Sequence, residues 1–433
     1  MKKGLVVLLF LILGSYPVST IIVEAAEEQK PAPTEQKPAE PEEKPLGPGW
    51  LSLDCCVGPL DNAIGNGKGA LEKALGISIS GYLDTGWTLS TNHPSSPANI
   101  SGRYFDKDQN KIVFNDFNIT LDKPEKDWGV GFHLSGDFGR TGELLREATL
   151  WGRTFHREPS AELRESFITT TIPIGEGLGI KGGLFVTPLG TEILPNPGAF
   201  NDNISRSFLF NFGVPLRHLG VMLSYPIHKM VGLSAGIVTG WDDPRDNNHT
   251  PAFLGGVTIT PNDKITIASN IIAGEEPINF SSPSAKNTAR VTWSTVGTFK
   301  PIDPLGLSLE FTYGHQGSAA LNGTSNADWY GIAGIASYAW TDRFTTALRG
   351  EWFGDPDGAR LGGDLVSGKA DVNVGEFTLT GAYKFTKMLL GRMELRQDFG
   401  DGKVFRVGDT AARATNIANK SQTTFGLQLV YQY

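Results

Sequence analysis

Apolar and polar residues alternate one by one over much of the chain beyond residue 76. In the stretch that begins at Ile77, Ile79 and Leu83 fall on one side, whereas Ser80 and Asp84 fall on the other. Successive residues of a β-strand point to opposite faces, so this spacing predicts a strand with one apolar and one polar face. The same period of two recurs in sixteen segments, near residues 77–90, 113–121, 128–138, 162–172, 178–187, 216–226, 231–241, 252–260, 264–273, 289–299, 305–314, 328–340, 343–353, 372–385, 388–398 and 422–433.

Short and long connections alternate between these segments. A closed membrane barrel has short turns at one rim and long loops at the other, whereas a soluble β-sandwich has no reason to sort its connections this way. The pattern therefore predicts an all-β fold, a transmembrane antiparallel β-barrel of about sixteen strands, with fourteen or eighteen as alternatives and both ends at the periplasmic rim. The short connections are 122–127, 173–177, 227–230, 261–263, 300–304, 341–342 and 386–387, and the long ones are 91–111, 139–161, 188–215, 242–251, 274–288, 315–327, 354–371 and 399–421.

Closure into a barrel follows from the chemistry of the backbone in lipid. Every backbone N–H and C=O inside a bilayer has to be paired within the protein, so an open sheet edge is not tolerated. Sixteen strands leave a water-filled lumen, whereas eight would be filled by side chains. Aromatic residues near strand ends favour a membrane over the alternative, the core of a soluble β-protein, because such rings prefer the headgroup level. On the predicted apolar face they are Trp87, Trp128, Trp241, Trp293, Tyr313, Trp352, Tyr383, Phe385, Tyr431 and Tyr433.

The first 76 residues differ in character from the rest. Two lysines precede an apolar run and then small residues, which is typical of a secretory signal peptide, with an uncleaved membrane anchor as the alternative. The stretch that follows is rich in Pro, Glu and Lys and cannot bury apolar area, so we expect a disordered linker. The predicted domains are the signal peptide (1–25), the linker (26–50), a periplasmic pre-barrel segment with a short helix (51–76) and the barrel (77–433).

Charge and cysteine content narrow the range of partners. The formal net charge of −8 at pH 7 argues against nucleic acid as a partner. Cys55 and Cys56 are adjacent, and neighbours in sequence rarely form a disulfide with each other, which leaves a disulfide to another chain or a reduced pair.

The stretch Asp106–Asn110 resembles the start of a calcium loop but lacks its glycine and its final acid, so we expect a solvated loop. We expect no cofactor and no metal site.

Charged residues on the polar faces are the candidate pore-lining groups. The longest loop, 188–215, is long enough to fold into the lumen; capping the outer rim or contacting a neighbouring subunit are the alternatives. Opposing acidic and basic groups across such a constriction select solutes by charge and size. An Arg that faces lipid near the midplane costs about 2–4 kcal/mol, so strand parity places alternating charges in the lumen. The strand candidates are Asp84, Asp116, Asp137, Lys181, Arg290, Glu310, Arg349, Glu351, Arg392, Glu394, Arg396 and Asp398, together with Glu376 and Lys384. The candidates in the loop are Glu192, Asp202 and Arg206.

One segment leaves its facing open. In the fourth strand Arg164 and Glu165 are neighbours, so alternation sends them to opposite faces. One of the two charged side chains would then face lipid, and the sequence does not decide which one.

Several short stretches, taken together in their order along the chain, resemble a known protein family. They include Ile79-Ser-Gly-Tyr-Leu-Asp-Thr-Gly-Trp87, Gly182-Gly-Leu-Phe-Val-Thr-Pro-Leu-Gly-Thr-Glu192, Pro215-Leu-Arg-His-Leu-Gly220 and Arg392-Met-Glu-Leu-Arg-Gln-Asp398. Together they resemble OmpL-like outer-membrane β-barrel porins over roughly residues 77–433, although such barrels usually end in Phe rather than Tyr433. The resemblance implies a passive channel in the bacterial outer membrane, surrounded by lipid and inserted by the barrel assembly machinery through its C-terminal strand, with a homotrimer as one arrangement.

Three functions remain as expectations. The first is a porin that forms a water-filled channel for passive diffusion of ions and small hydrophilic solutes, without enzyme activity. The second is a surface-adhesion or structural barrel, whose loops would be much longer or rich in repeats. The third is an outer-membrane barrel enzyme, which would need Ser, His and an acid or amide on its lipid-facing rim. The seven His are scattered and none lies in a Ser-centred Gly motif, which favours the first function.

Overall fold

The computed structural model describes residues 75–433 apart from 95–98, 126–128, 148–160, 243, 245, 247, 279–285 and 409–417. The predicted signal peptide and linker, almost all of the pre-barrel segment, the cysteine pair and Trp128 lie outside the described residues. None of the described helices is both long and apolar enough to cross a membrane. The strands are β1 (Ser78–Ser90), β2 (Lys111–Lys123), β3 (Val130–Phe138), β4 (Ala161–Ile172), β5 (Leu178–Val186), β6 (Arg217–His228), β7 (Val231–Val238), β8 (Ala252–Asn262), β9 (Ile265–Pro277), β10 (Asn287–Ile302), β11 (Leu305–Gln316), β12 (Ala327–Ala339), β13 (Phe344–Asp355), β14 (Val372–Lys384), β15 (Leu389–Gly400), β16 (Phe405–Arg406), β17 (Ala418–Asn419) and β18 (Ser421–Gln432).

Sixteen of the described strands form one closed antiparallel barrel, and β16 and β17 form a small hairpin within the last long connection. The barrel closes where β1 pairs with β18, with Tyr82 opposite Gln432 and Trp87 opposite Leu427. Closure leaves no strand edge unpaired, as a bilayer requires. One α-helix, α1 (Arg140–Glu147), lies in the β3–β4 connection, and a π-helical turn (Leu209–Gly213) lies in the β5–β6 connection. The predicted fold, strand count and alternation of short and long connections are confirmed.

The two faces of the wall follow the predicted alternation. On β15, Arg392 and Arg396 are buried inside the barrel, whereas Met393 is 68% and Leu395 43% exposed on the outside. Five of the aromatic residues predicted on the apolar face are likewise exposed on the outside, namely Trp293, Tyr313, Trp352, Tyr383 and Phe385. In a membrane the outer face meets hydrocarbon rather than water, so these apolar side chains lie in an apolar environment.

A β-bulge shifts the facing of residues at the start of β2. Asp84 lies opposite Asp116, but Thr85 lies opposite Phe114, so Asn115 is an extra residue without a partner. Strict alternation places Phe114 on the polar face, and the structure shows it on the outer face, 50% exposed. That prediction was wrong because a bulge inserts one residue and reverses the parity beyond it.

A second bulge settles the open facing in β4. Ser135 of β3 lies opposite Glu165, and Gly136 lies opposite Leu163, so Arg164 is the extra residue. With two residues opposing one, Arg164 and Glu165 both face inward and both are buried. Neither charge meets lipid.

Trp241 departs from the prediction of an outward aromatic residue. Strand β7 ends at Val238, and the chain turns inward at Gly240, whose φ is +135°. Trp241 is only 3% exposed and packs edge-on against Trp329 of β12, with the ring centroids 6.2 Å apart. It belongs to an apolar core inside the outer half of the barrel, a feature that strand parity does not reveal.

Replacing Leu395 by Arg tests the orientation of the wall. The side chain lies in the middle of β15 on the outer face, so the variant should lower the free energy of unfolding in lipid vesicles by about 2–4 kcal/mol. Urea titration followed by tryptophan fluorescence measures this change. Asp342→Arg, in the short β12–β13 turn, is the matched control and should cost under about 1 kcal/mol. Equal costs for the two variants would contradict the placement of Leu395 in hydrocarbon.

Candidate functional site

The connection between β5 and β6, residues 187–216, lies inside the barrel and is called here the inserted loop. The N–H of Thr191 donates to Glu310 on β11 at 2.8 Å. Farther along, the carbonyl of Pro195 accepts a bond from Tyr82 on β1 at 3.2 Å. The carbonyl of Pro188 accepts from Asn270 on β9 at 2.8 Å, and β9 is the strand opposite β1 in the ring of sixteen, so the loop crosses the lumen.

Carboxylates of the barrel wall hold the backbone of the inserted loop. Backbone N–H groups away from a sheet need other acceptors, and an ionised carboxylate is a strong one. Three wall acids that parity placed in the lumen serve in this way, which sequence reasoning did not foresee. The bonds run from Thr191 to Glu310 (2.8 Å), from Ile204 and Ser205 to Glu394 (2.6 and 3.1 Å), and from Phe208 and Leu209 to Glu351 (2.6 and 2.5 Å).

A layer of arginines lies beneath the loop on the β13–β15 wall. Arg349 binds Glu192 of the loop at 2.8 Å and Glu376 of β14 at 2.6 Å. Arg396 binds Asp398 at 2.6 Å. Both arginines also donate to loop carbonyls, Arg349 to that of Ser205 and Arg396 to that of Arg206. Both are fully buried, so these candidates lie in the lumen but are covered by the loop.

A second charged cluster lies on the β1–β4 wall. Arg164 donates to Asp137 through two nitrogens and to Asp116 at 3.1 Å, and Tyr82 donates to Asp116 at 2.7 Å. Arg164 also reaches Asn196 of the inserted loop at 3.3 Å. Tyr82 was missed as a site residue, although it shares the parity of Asp84. The cluster joins both bulged strands to the loop tip.

Groups near the outer rim fasten the second half of the loop. The guanidinium of Arg360 lies 5.2 Å from the Trp241 ring and 5.1 Å from the Trp329 ring, and its Nε donates to the carbonyl of Phe212 at 2.5 Å. Arg290 lies 5.0 Å from the same Trp241 ring. Arg290 was predicted from strand parity. Arg360 was not, because it comes from the β13–β14 connection, where alternation carries no information.

Two of the candidates are partly exposed in the lumen, and a third is close to it. Lys181 is partly exposed, with its ammonium 4.6 Å from the Phe167 ring. Asp202, in the inserted loop, is also partly exposed. Arg206, in contrast, is only 6% exposed, and it donates to the carbonyl of Ile204 at 3.0 Å through Nη1.

Arg392 and Asp84 are linked by one glutamine. Arg392 donates to Gln428 at 2.8 Å and to the carbonyl of Asn201 at 2.5 Å. Asp84 accepts from Gln428 at 2.7 Å and from Asn115 at 3.1 Å. Both carboxylate oxygens of Asp84 therefore have donors.

Asp242 closes the base of the loop. Its Oδ1 accepts the N–H of Leu216 and, at 3.1 Å, the N–H of Arg217. Burial raises the pKa of Asp242 from 3.8 to about 6, against the opposing effect of those two N–H donors and of the Arg217 and Arg360 charges. Its φ of +57° is a conformation that Asp and Asn tolerate better than most residues.

The family model described as "Putative beta-barrel porin-2, OmpL-like" matches residues 76–433. The chain belongs to this OmpL-like porin family. The resemblance noted from the sequence is confirmed, and so are the outer-membrane location and the role of a channel. No curated protein sequence matches the chain.

Solved porins share the fold at low sequence identity. The outer membrane channel DcaP of Acinetobacter baumannii has a TM-score of 0.55 and 13% identity, with 82% of this chain and 97% of that chain covered. The anion-selective porin from Comamonas acidovorans has a TM-score of 0.54 and 10% identity, covering 82% and 99%. The trimer form of OmpT from Vibrio cholerae has a TM-score of 0.51 and 14% identity, covering 82% and 99%. Family and fold are thus those of a channel.

The porin offers no obvious metal centre in its described part. No group of three or more His, Cys, Asp or Glu is placed there to hold a metal ion.

Replacing Glu351 by Gln should loosen the inserted loop. An amide group has one acceptor oxygen, so either Phe208 or Leu209 loses its acceptor, at a cost of about 1–3 kcal/mol for a buried donor. We expect noisier open-channel current and a higher mean conductance in planar bilayers. Asp342→Asn, the same kind of change in a periplasmic turn, should leave both unchanged. Identical current noise in all three proteins would rule out Glu351 as an anchor.

Asp242 should make stability fall as pH rises. Its pKa is higher in the folded protein, so its contribution is complete below about pH 4 and is lost as pH rises through about 6, a difference of about 1–3 kcal/mol. Asp242→Asn lacks this loss. Urea unfolding should therefore show that the free energy of unfolding of the variant, relative to that of the natural protein, is higher at pH 7 than at pH 4. Parallel pH dependences would contradict the raised pKa.

Proposed function

We propose that this porin passes ions and small hydrophilic solutes by passive diffusion through the space that the inserted loop leaves open. The observation that carries the proposal is the loop's path across the lumen between β9 and β1. A barrel of sixteen strands is wide enough for water, so the loop decides what fits.

The candidate pore-lining charges divide into two roles in this proposal. Those that hold the loop, directly or through Arg164 and Arg396, are Asp116, Asp137, Glu192, Glu310, Arg349, Glu351, Glu394, Arg396 and Asp398, whereas Arg290 binds Gln316 and the Trp241 ring. The groups that meet the solute are Lys181, Asp202, Arg206 and Arg392, with Asp84 behind Gln428. The first set sets the size of the passage, and the second its charge preference.

The structure gives the two other functions less support. An adhesion barrel would direct its loops outward, whereas the inserted loop lies inside, and Arg103 of the β1–β2 connection reaches inward to Asp398 at 3.0 Å. An enzyme of the hydrolase type would pair a histidine with a serine hydroxyl, and no described imidazole bonds to one. His218, for example, is buried inside and contacts the carbonyl of Gly240 and the hydroxyl of Thr187.

We also infer a homotrimer surrounded by outer-membrane lipid. The trimer form of OmpT, which has the same fold, supports this arrangement. Strand β18 closes the barrel and carries outward apolar residues such as Leu427 and Leu429, which suits recognition by the barrel assembly machinery.

Removing the inserted loop tests the proposed passage. Val186 and Arg217 lie directly opposite each other, so a short Gly-Ser turn can replace residues 189–214 without opening the wall. The natural protein should conduct with ohmic current in planar bilayers, in three equal steps if it is a trimer. The variant should conduct several-fold more and should admit larger sugars in liposome-swelling assays. Equal conductance in both proteins would show that the loop does not define the passage, and single steps would count against the trimer.

A further inference from the structure

We infer that the constriction carries a subsite for small organic carboxylates with an apolar body, built on Arg392 and Arg206. The inference rests on the proposed function as a diffusion channel and deepens it. Arg392 is held rigidly, since Nε donates to Gln428 at 2.8 Å and Nη1 to the carbonyl of Asn201 at 2.5 Å. Its Nη2 has no acceptor among the described residues and, unlike Nη2 of Arg396, keeps some accessible surface, while the residue as a whole is 5% exposed. This N–H group is therefore available to a solute in the lumen.

Arg206 presents a second free donor from the inserted loop. Its Nη1 donates to the carbonyl of Ile204 at 3.0 Å, and its Nε is enclosed, whereas Nη2 has no described acceptor and keeps some accessible surface in a residue that is 6% exposed. The guanidinium lies 5.9 Å from the Phe105 ring and 5.6 Å from the Phe210 ring. Arg206 and Arg392 donate to neighbouring carbonyls of the loop, those of Ile204 at 3.0 Å and Asn203 at 3.5 Å, so the positive charge of each would also stabilise an anion bound to the other. Within the described chain, neither arginine has a carboxylate oxygen within 4.0 Å.

The nearby acids do not offer an equivalent place for a cation. Both oxygens of Asp84 accept amide N–H groups, from Asn115 and Gln428. Both oxygens of Glu394 accept from the loop backbone, and one also accepts from Thr380 at 2.8 Å. Asp202 is partly exposed and has interactions of its own, and its charge, like that of Asp84, acts on Arg392. A passing anion thus meets free donors, whereas most carboxylate oxygens are already occupied.

An apolar surface lies beside the donors and narrows the class of ligand. The Phe200 ring lies 5.9 Å from the Arg392 guanidinium and is partly exposed. A carboxylate can bind Nη2 while its hydrocarbon body covers this ring, which an inorganic anion cannot do. The preferred solutes are therefore small monocarboxylates that carry a few apolar carbons.

Planar-bilayer recordings with matched probes test this subsite. In a KCl gradient the natural porin should prefer chloride, and Arg392→Gln should lower the chloride-to-potassium permeability ratio. Butyrate should reduce the current with a concentration dependence that weakens about tenfold in Arg392→Gln, whereas butyramide and butylammonium should have little effect. Arg392→Lys should keep the ion preference yet weaken the butyrate effect, because it keeps the charge and loses the planar fork. Lys387→Gln removes the same charge from the β14–β15 turn and serves as the control.

The outcomes separate this inference from the proposed function. Arg206→Gln provides a second variant on an independent element, should Arg392→Gln fail to insert. A channel that conducts but prefers potassium, or that responds equally to all three probes, overturns the subsite and leaves the porin function standing. A protein without conductance contradicts the proposed function instead.

Discussion

Backbone N–H groups inside the barrel need acceptors, and this constraint shapes the rest of the lumen. The inserted loop has no neighbouring strand to pair with along most of its length. Wall carboxylates supply the acceptors, so that Glu351 and Glu394 each take two consecutive N–H groups. Each such acid is buried, and burying a charge without partners is costly. The loop and the acids therefore stabilise each other, because each satisfies the polar groups of the other.

The arginine layer follows from the same constraint. Acids packed side by side under a loop repel each other unless cations lie among them. Arg349 lies between Glu192 and Glu376, and it also donates to the carbonyl of Ser205. A buried ion pair adds little net stability when intact, but removing one partner leaves the other charge buried without a partner, which lowers the free energy of unfolding strongly. The cluster thus fixes one position of the loop more than it strengthens the barrel.

Sequence patterns predicted the barrel well because a membrane enforces them. Every outward residue must be apolar, so alternation over β15 and the sorting of loop lengths were sufficient to give the fold. The bulges at Asn115 and Arg164 could not be predicted from the sequence, because one inserted residue reverses the facing of its neighbours without changing the composition of the strand. Trp241 was misplaced for a related reason, since a connection that turns inward obeys no alternation.

The candidate site was predictable only as a set of inward charges. Parity cannot separate Glu351, which accepts two N–H groups of the inserted loop, from Lys181, which is partly exposed in the lumen. What separates them is the path of the loop, and that path depends on contacts between residues far apart in sequence, such as Arg360 and Phe212. The loop hides most wall charges and leaves a few donors uncovered. We therefore propose that charge preference in this porin depends on which atoms the loop leaves without a partner, and a count of lumen charges does not reveal it.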